Sequence, residues 1–293
     1  MANITAAQVK ELREMTGAGM MECKKALVAA DGDIEAAVDV LRKEGLATAA
    51  KKAGRATNEG VIACSVNPET GSAGIVEVNC ETDFVSGNEK YVAFANKLAA
   101  SAAANDVSDV ETFKTMPCGD ETVADTLTEA IHLFGENMGI ARVGHLALQG
   151  TGAISSYIHM GGKIGVLVEF TFDNAATADA EEFKAAGRDV AMQVAAADPV
   201  AVDRDSVPAD VVAHEMEIYK EQAAASGKPE NIQEKIASGR LNKYFKEYCL
   251  TEQAFVKDPD QSISQYLAAI SKKVGDKIAI KSFIRYRMGE NQD

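Results

Sequence analysis

At 293 residues the chain is longer than one ordinary hydrophobic core organises, so two to three structural units are expected. With 46% hydrophobic and 25% charged residues, the composition is that of a soluble globular protein. A formal net charge of −14 repels phosphate backbones, which excludes nonspecific nucleic-acid binding as a default and leaves a protein partner as the expectation. Cys23, Cys64, Cys80, Cys118 and Cys249 are scattered, odd in number and never in Cys-x-x-Cys, which argues against a disulfide framework or a zinc site. The opening residues lack a basic stretch followed by an apolar run. No apolar segment approaches the roughly 18 residues that span a bilayer, so a cytoplasmic chain without membrane contact is expected. No Gly-x-x-x-x-Gly-Lys loop occurs, and no nucleotide, metal or other cofactor is expected.

In chain order, residues 5 to 45 read as a small three-helix head. Thr5 and Gln8 stand at capping-box spacing, with Val9 and Leu12 on the inner face of the first helix. Thr16-Gly17-Ala18-Gly19 breaks that helix; Met20, Cys23, Leu27 and Ala30 then recur at helical spacing, and after Asp31-Gly32-Asp33 so do Ile34, Val38 and Leu41. About 40 residues bury little, which suits a docking module carried on a larger body. The Ala-, Lys-, Gly- and Thr-containing stretch from Ala47 to Glu59 reads as a linker.

Two copies of one plan follow. The first pairs a strand over Gly60 to Val66 with one over Gly74 to Cys80, then enters a helix at Tyr91, Phe94 and Leu98. Ser86 and Glu89 are spaced as its capping box. Ile75, Glu77 and Asn79 alternate with Val76, Val78 and Cys80, the pattern of a half-buried strand. Helical stretches near Val123 to Met138 complete this half. The second copy pairs Ala153 to His159 with Ile164 to Phe172, then a helix with inner face Phe183, Ala186, Val190 and Val194 whose start signal is Asp179 and Glu182. From Pro208 to Tyr248 the pattern is a helical hairpin, Val212, Met216, Tyr219 and Ala223 facing Ile232 and Ile236, with Gly227 as a helix stop. Leu250 to Val256 and an amphipathic helix around Ile263, Leu267 and Ile270 lead to a last strand, Ile278 to Arg287, returning to the core. The expected class is α+β, a two-part core of antiparallel sheets with helices on one face. The expected division is 1–54 (head and linker), 55–150 and 151–204 (core halves), 205–249 (protruding hairpin) and 250–293 (carboxyl-terminal module).

Thr82-Asp83-Phe84-Val85 lies where a strand ends and a helix begins, a rigid mount for an acid and a ring. On these four residues alone, a helix entry bonded by Thr or Asp, with Phe and Val closing the sheet edge, is the better explanation. Cys80 on a buried strand face, with no base signalled nearby, reads as inert. His132, His145, His159 and His214 show no metal-ligand spacing.

Two further segments change that balance. Leu12 to Leu27, with Leu-Arg-Glu-Met-Thr-Gly-Ala-Gly-Met-Met-Glu-Cys-Lys-Lys-Ala-Leu, resembles the amino-terminal signature of the bacterial elongation factor Ts family. Glu77 to Val85 resembles its core signature, and Leu250-Thr251-Glu252-Gln253-Ala254-Phe255-Val256 a third segment, in order along nearly the whole chain. The resemblance implies a ubiquitin-associated-like head and a translation elongation factor that is not an enzyme of bond making. Such a factor would be a guanine-nucleotide exchange factor that binds elongation factor Tu with GDP, dislodges magnesium and promotes GDP release. It implies partner contact by Thr82, Asp83, Phe84 and Val85, by Lys24 on the docking face of the head, by His159 in Tyr157 to Gly165, and by Val256. It also implies a hairpin of the dimerisation type, able to join two complexes into a dimer of heterodimers. Gly87 departs from the family, which usually carries a basic residue there. The alternative is a protein-binding adaptor that works through the head alone.

Overall fold

A computed structural model describes residues 4–290 except 17, 108 and 226, so Gly17, part of the expected break after the first helix, lies outside the described residues. The head consists of α1 (Ala6–Thr16), α2 (Met20–Ala29) and α3 (Ile34–Lys52). Thr5 N–H donates to Gln8 Oε1 at 3.0 Å and Gln8 N–H to Thr5 Oγ1 at 3.2 Å, the reciprocal bonds of a capping box. Asp33 caps α3 by accepting from Ala36 N–H at 2.8 Å. Val9, Leu12, Ala18, Cys23, Ala26, Leu27, Ala37 and Leu41 form the core of the head. Met20, expected inside, is exposed, because Cys23, Ala26 and Leu27 set the inner face of α2 and Met20 only begins the helix. The segment expected as a linker from Ala47 is helical as far as Lys52. Alanines propagate a helix well, and Gly45 and Ala49 give α3 a face to pack on the core beyond the head.

The core holds two three-stranded antiparallel sheets. The first, in the order β1-β2-β5, comprises β1 (Glu59–Asn67), β2 (Ser72–Cys80) and β5 (Met138–Ala147). Between β2 and β5 run α4 (Asp83–Ser86), α5 (Glu89–Ala104), α6 (Val110–Lys114), the short pair β3 (Pro117–Cys118) and β4 (Glu121–Thr122), and α7 (Val123–Phe134). The second sheet comprises β6 (Gly152–His159), β7 (Ile164–Thr171) and β10 (Ala279–Arg287), in the order β10-β7-β6, with α8 (Glu181–Ala197) against it. Val61, Ala63, Val76 and Val78 pack beneath Tyr91, Leu98 and Ile131, while Val166, Val168 and Phe170 pack beneath Phe183, Val190 and Leu267. The opposite faces of the sheets meet through Ile62, Ala73, Ile75 and Leu167. The architecture is α+β, with the sheets back to back and helices outside. Every residue of β2 is consequently buried, where alternation predicted a half-buried strand. Glu77 and Asn79 are buried with it, and Arg142 Nε donates to Glu77 Oε2 at 2.7 Å.

Two expected start signals belong to other residues. Asn88 caps α5 through Lys90 N–H at 2.9 Å, while Ser86 Oγ donates to Asp83 O, so the Ser86–Glu89 box does not form. α8 begins at Glu181 behind a 3-10 turn, Ala175–Asp179, without a side-chain cap. The hairpin pairs α9 (Ala209–Ala224) with α10 (Glu230–Tyr248), and Gly227 at φ +66° turns the chain between them. Ala223 and Ala237 are its buried contacts, and Val207, Phe245 and Cys249 close its root. β8 (Ala254–Phe255), β9 (Asp258–Ser262) and α11 (Ile263–Val274) lead back to β10. Among the described residues, no helix is long and apolar enough to cross a membrane.

At Gly74 of β2 a Cβ would stand 2.4 Å from both Ala99 O and Ala103 N in the backbone of α5. Gly74→Ala is expected to lower unfolding free energy by about 1–3 kcal/mol, because the helix must lift from the sheet. Urea midpoints at unchanged m-value measure it.

Candidate functional site

Thr82 to Val85 form the start of a single-turn helix where β2 leaves the sandwich. Thr82 is the N-cap, its hydroxyl accepting from Val85 N–H at 3.4 Å, and Val85 packs against the first core. Asp83 and Phe84 point outward. Phe84 is 86% exposed, and the Asp83 carboxylate has no hydrogen-bond or ion-pair partner among the described residues. Gly87 closes the turn at φ −81°, a conformation open to any residue, and a Cβ there would meet only Asp83 O at 3.2 Å.

The base of this tip is fixed by crossed carboxylates. Glu136 Oε2 accepts from Glu81 N–H at 3.1 Å and Thr82 N–H at 3.0 Å, and Glu136 Oε1 accepts from the Thr82 hydroxyl at 2.6 Å. In return, Glu81 Oε1 accepts from Asn137 N–H at 2.5 Å. Arg55 pairs with Glu81 at 3.3 Å, Asn137 Nδ2 donates to Arg55 O at 2.7 Å, and Lys52 Nζ donates to Gly135 O. The end of α3 is thereby tied to the loop that holds the tip. Closer to the head, Arg42 pairs with Asp125 at 3.5 Å and Glu22 lies 3.5 Å from His132 Nε2.

His159 and Val256 share one hollow of roughly 290 Å³, lined also by Tyr157, Met160, Ile164 and Met192. The Tyr157 hydroxyl lies 3.0 Å from His159 Nδ1 and orients the exposed ring. Val256 is held by Gln193, fully buried in α8, whose Oε1 accepts from Val256 N–H at 2.8 Å while its amide donates to Gln253 Oε1 at 3.1 Å. The tip and the His159 turn sit at one end of the sandwich. Glu59, the register partner of Cys80, holds Lys163 Nζ at 2.7 Å, and Ile62 N–H donates to Gly162 O at 2.7 Å. Lys24 stands apart on α2, exposed beside Met21, Lys25, Val28 and Ala29. Cys80 is buried; burial pushes its thiol above the ordinary range, and it donates to Thr82 O at 3.2 Å, so it serves the turn and not nucleophilic chemistry.

Several residues of the site escaped sequence reading. Glu136 follows a helix stop at Gly135 and carries no local signal of its contact with residues far earlier in the chain. Gln193 was discoverable as a polar residue at a core-facing position between Val190 and Val194. Met160, 71% exposed with φ +49° beside His159, and the exposed Met15, Met20 and Met21 of the head add apolar surface to both patches.

A small helical head with an exposed apolar and basic face is joined to a core that presents a bare ring, a carboxylate without a partner among the described residues and an apolar hollow, surfaces of the kind that protein-binding factors carry. Comparison with known proteins identifies which kind. The family model described as Elongation factor TS matches residues 81–290, and that described as UBA/TS-N domain matches residues 4–41. The protein named Elongation factor Ts from Nitratidesulfovibrio vulgaris is 46% identical over 288 residues, covering 98% of this chain and 96% of its own length. The proteins of that name from Trichlorobacter lovleyi and Clostridium botulinum are each 48% identical, covering 98% of this chain and 93% of their own. The chain belongs to the elongation factor Ts family of translation elongation factors, with a head of the ubiquitin-associated type. A match that runs through the core does not favour the adaptor alternative, which rests on the head alone.

The Asn137 N–H, with Arg55 beside it, holds the Glu81 carboxyl below the usual carboxylate range. A depressed folded-state pKa contributes stability that is fully present above the unfolded value and is lost as pH falls through the folded one. Glu81→Gln is therefore expected to be less stable than the parent at pH 7, with the gap closing as pH falls below the ordinary carboxylate range. Urea midpoints across that range measure it.

Proposed function

We propose that this factor promotes exchange of guanine nucleotide on elongation factor Tu by docking at several points and driving the Asp83–Phe84 tip into the nucleotide site. The observation that carries the reading is the 86% exposed Phe84 ring beside an unpaired acid on a braced turn. Exchange of this kind is binding work. A factor that prefers the nucleotide-free GTPase must weaken nucleotide by the same ratio, by linkage. Each thousandfold loss of nucleotide affinity needs about 4 kcal/mol of differential binding, and full burial of one Phe supplies about 1.5–3 kcal/mol. Phe84 alone falls short. The remainder comes from the head around Lys24 and from the hollow that His159 and Val256 share. Asp83, with Thr82 and Val85 shaping the turn, disturbs the waters and ligands around the partner's magnesium, whose loss removes a large share of phosphate binding. The net negative charge of the chain as a whole favours a protein target over nucleic acid. The outer faces of the α9–α10 arm, which buries only a narrow seam against itself, offer the surface through which two complexes join as a dimer of heterodimers.

The primary test is release of labelled GDP from elongation factor Tu. The full chain is expected to accelerate it, and an unchanged off-rate at saturating factor sinks the proposal. Changing Asp83 and Phe84 together to Ala is expected to lower the saturating release rate by more than about tenfold while docking weakens less, since the tip acts mainly after contact. Equal losses of rate and docking would reduce the tip to an ordinary contact. Lys24→Glu is expected to do the converse, raising the half-saturating concentration several-fold with the saturating rate retained; an unaltered half-saturation point removes the head from the docking surface.

A further inference from the structure

Beyond the register pair Cys80 and Met138 the β2–β5 ladder stops, yet the tip begins only three residues later. Backbone hydrogen bonds are replaced there by the two crossed carboxylates. Glu136 takes the N–H groups of residues 81 and 82 and the Thr82 hydroxyl, and Glu81 returns a bond to Asn137 N–H. The Thr82 hydroxyl proton is committed to Glu136 at 2.6 Å, which turns the oxygen's lone pair toward Val85 N–H and sets the first turn of the four-residue helix. Phe84 has almost no packing of its own, so its direction is inherited through this backbone.

We infer that Glu136 is a positioning residue for nucleotide exchange, acting through Thr82 to fix the angle at which Asp83 and Phe84 leave the sheet. The inference rests on the tip acting as an intruding wedge. A wedge transmits docking energy only if its mount resists; on a free turn, part of the energy is spent ordering the tip instead of displacing the partner's groups. Glu136 belongs to the loop between α7 and β5, to which Lys52 and Arg55 also bind, so the same carboxylate keeps the tip in register with the end of the head's last helix.

The test compares Glu136→Ala, Glu136→Asp, Glu136→Gln and Phe84→Ala, as full-length chains, in stimulated GDP release from elongation factor Tu with factor concentration varied. Glu136→Ala is expected to lower the saturating rate about tenfold, close to the loss expected on removing the tip itself, with the half-saturating concentration within about threefold of the parent. Glu136→Gln, whose amide oxygen still accepts from both backbone N–H groups but whose NH2 faces the Thr82 hydroxyl in place of an acceptor, restores only part of the rate. Glu136→Asp keeps the charge but not the reach and loses rate in the same direction, and it carries the test if the Ala variant does not fold. Adding Phe84→Ala to Glu136→Ala is expected to cost little more, because both remove one lever. A Glu136→Ala or Glu136→Asp chain that melts earlier but keeps the parent's saturating rate overturns the inference, as do losses that multiply in the double variant. If Phe84→Ala itself keeps the full rate, the wedge reading falls; if it is impaired and the Glu136 variants are not, the positioning role alone falls.

Discussion

The apposition of two sheets through Ile62, Ile75 and Leu167 is the contact on which everything else in the molecule depends. It buries β2 on both faces, brings the β6–β7 turn over the end of β1, and so puts two separately encoded patches on one end of the sandwich. Glycine permits the approach. At Gly165 a Cβ would stand 2.4 Å from Ile62 Cγ2, so any larger residue at that position would prise the halves apart. Buried charge inside such a core is tolerable only when paired, and Glu77, fully buried, meets Arg142 at 2.6 Å. The guanidinium of Arg142 in turn lies 4.3 Å from the centroid of the Tyr286 ring, on the last strand of the other sheet. An ion pair in one sheet is thus also an inter-sheet contact.

Much of the fold was legible because its signals are local. Capping at Thr5, the glycine stop at Gly227 and the helical spacing of Val9 and Leu12 and of Ile263, Leu267 and Ile270 each report on a few neighbouring residues. β5 went unread. Its burial is only intermediate along most of its length, and Ala141 bulges out of register between Glu77 and Val78 of the partner strand, so alternation is broken where it would have been counted. The second buried face of β2 was equally hidden, since polar Glu77 and Asn79 mimic a solvent face and only the far-off Arg142 and Thr57 reveal otherwise. For the site, the tip and the Leu250–Val256 segment could be found as sequence motifs. Their supports could not: Glu136 and Gln193 act across 54 and 63 residues respectively.

The proposed exchange function sets an energetic condition on the site. A single exposed ring falls short of the differential binding it requires, and on that proposal the apolar surfaces of the head, the hollow beside Val256 and the tip contribute together. Rigid links keep these parts in fixed relation. Buried amides brace Val256, a tyrosine hydroxyl orients His159, and crossed carboxylates brace Phe84. Each support is polar and buried or half-buried, which makes it costly to leave unsatisfied and hence specific in geometry.

The order of strands also bears on how the chain is made. β7 is the central strand of its sheet, but β10, which covers one of its edges, follows about a hundred residues later, a delay of roughly 5 to 20 s at ordinary rates of synthesis. Through that interval the run from Val166 to Phe170 has one open, apolar edge, the kind that recruits other strands. The α9–α10 arm is threaded into this gap, so every residue added to the hairpin lengthens the time for which a newly made molecule stands exposed to its neighbours.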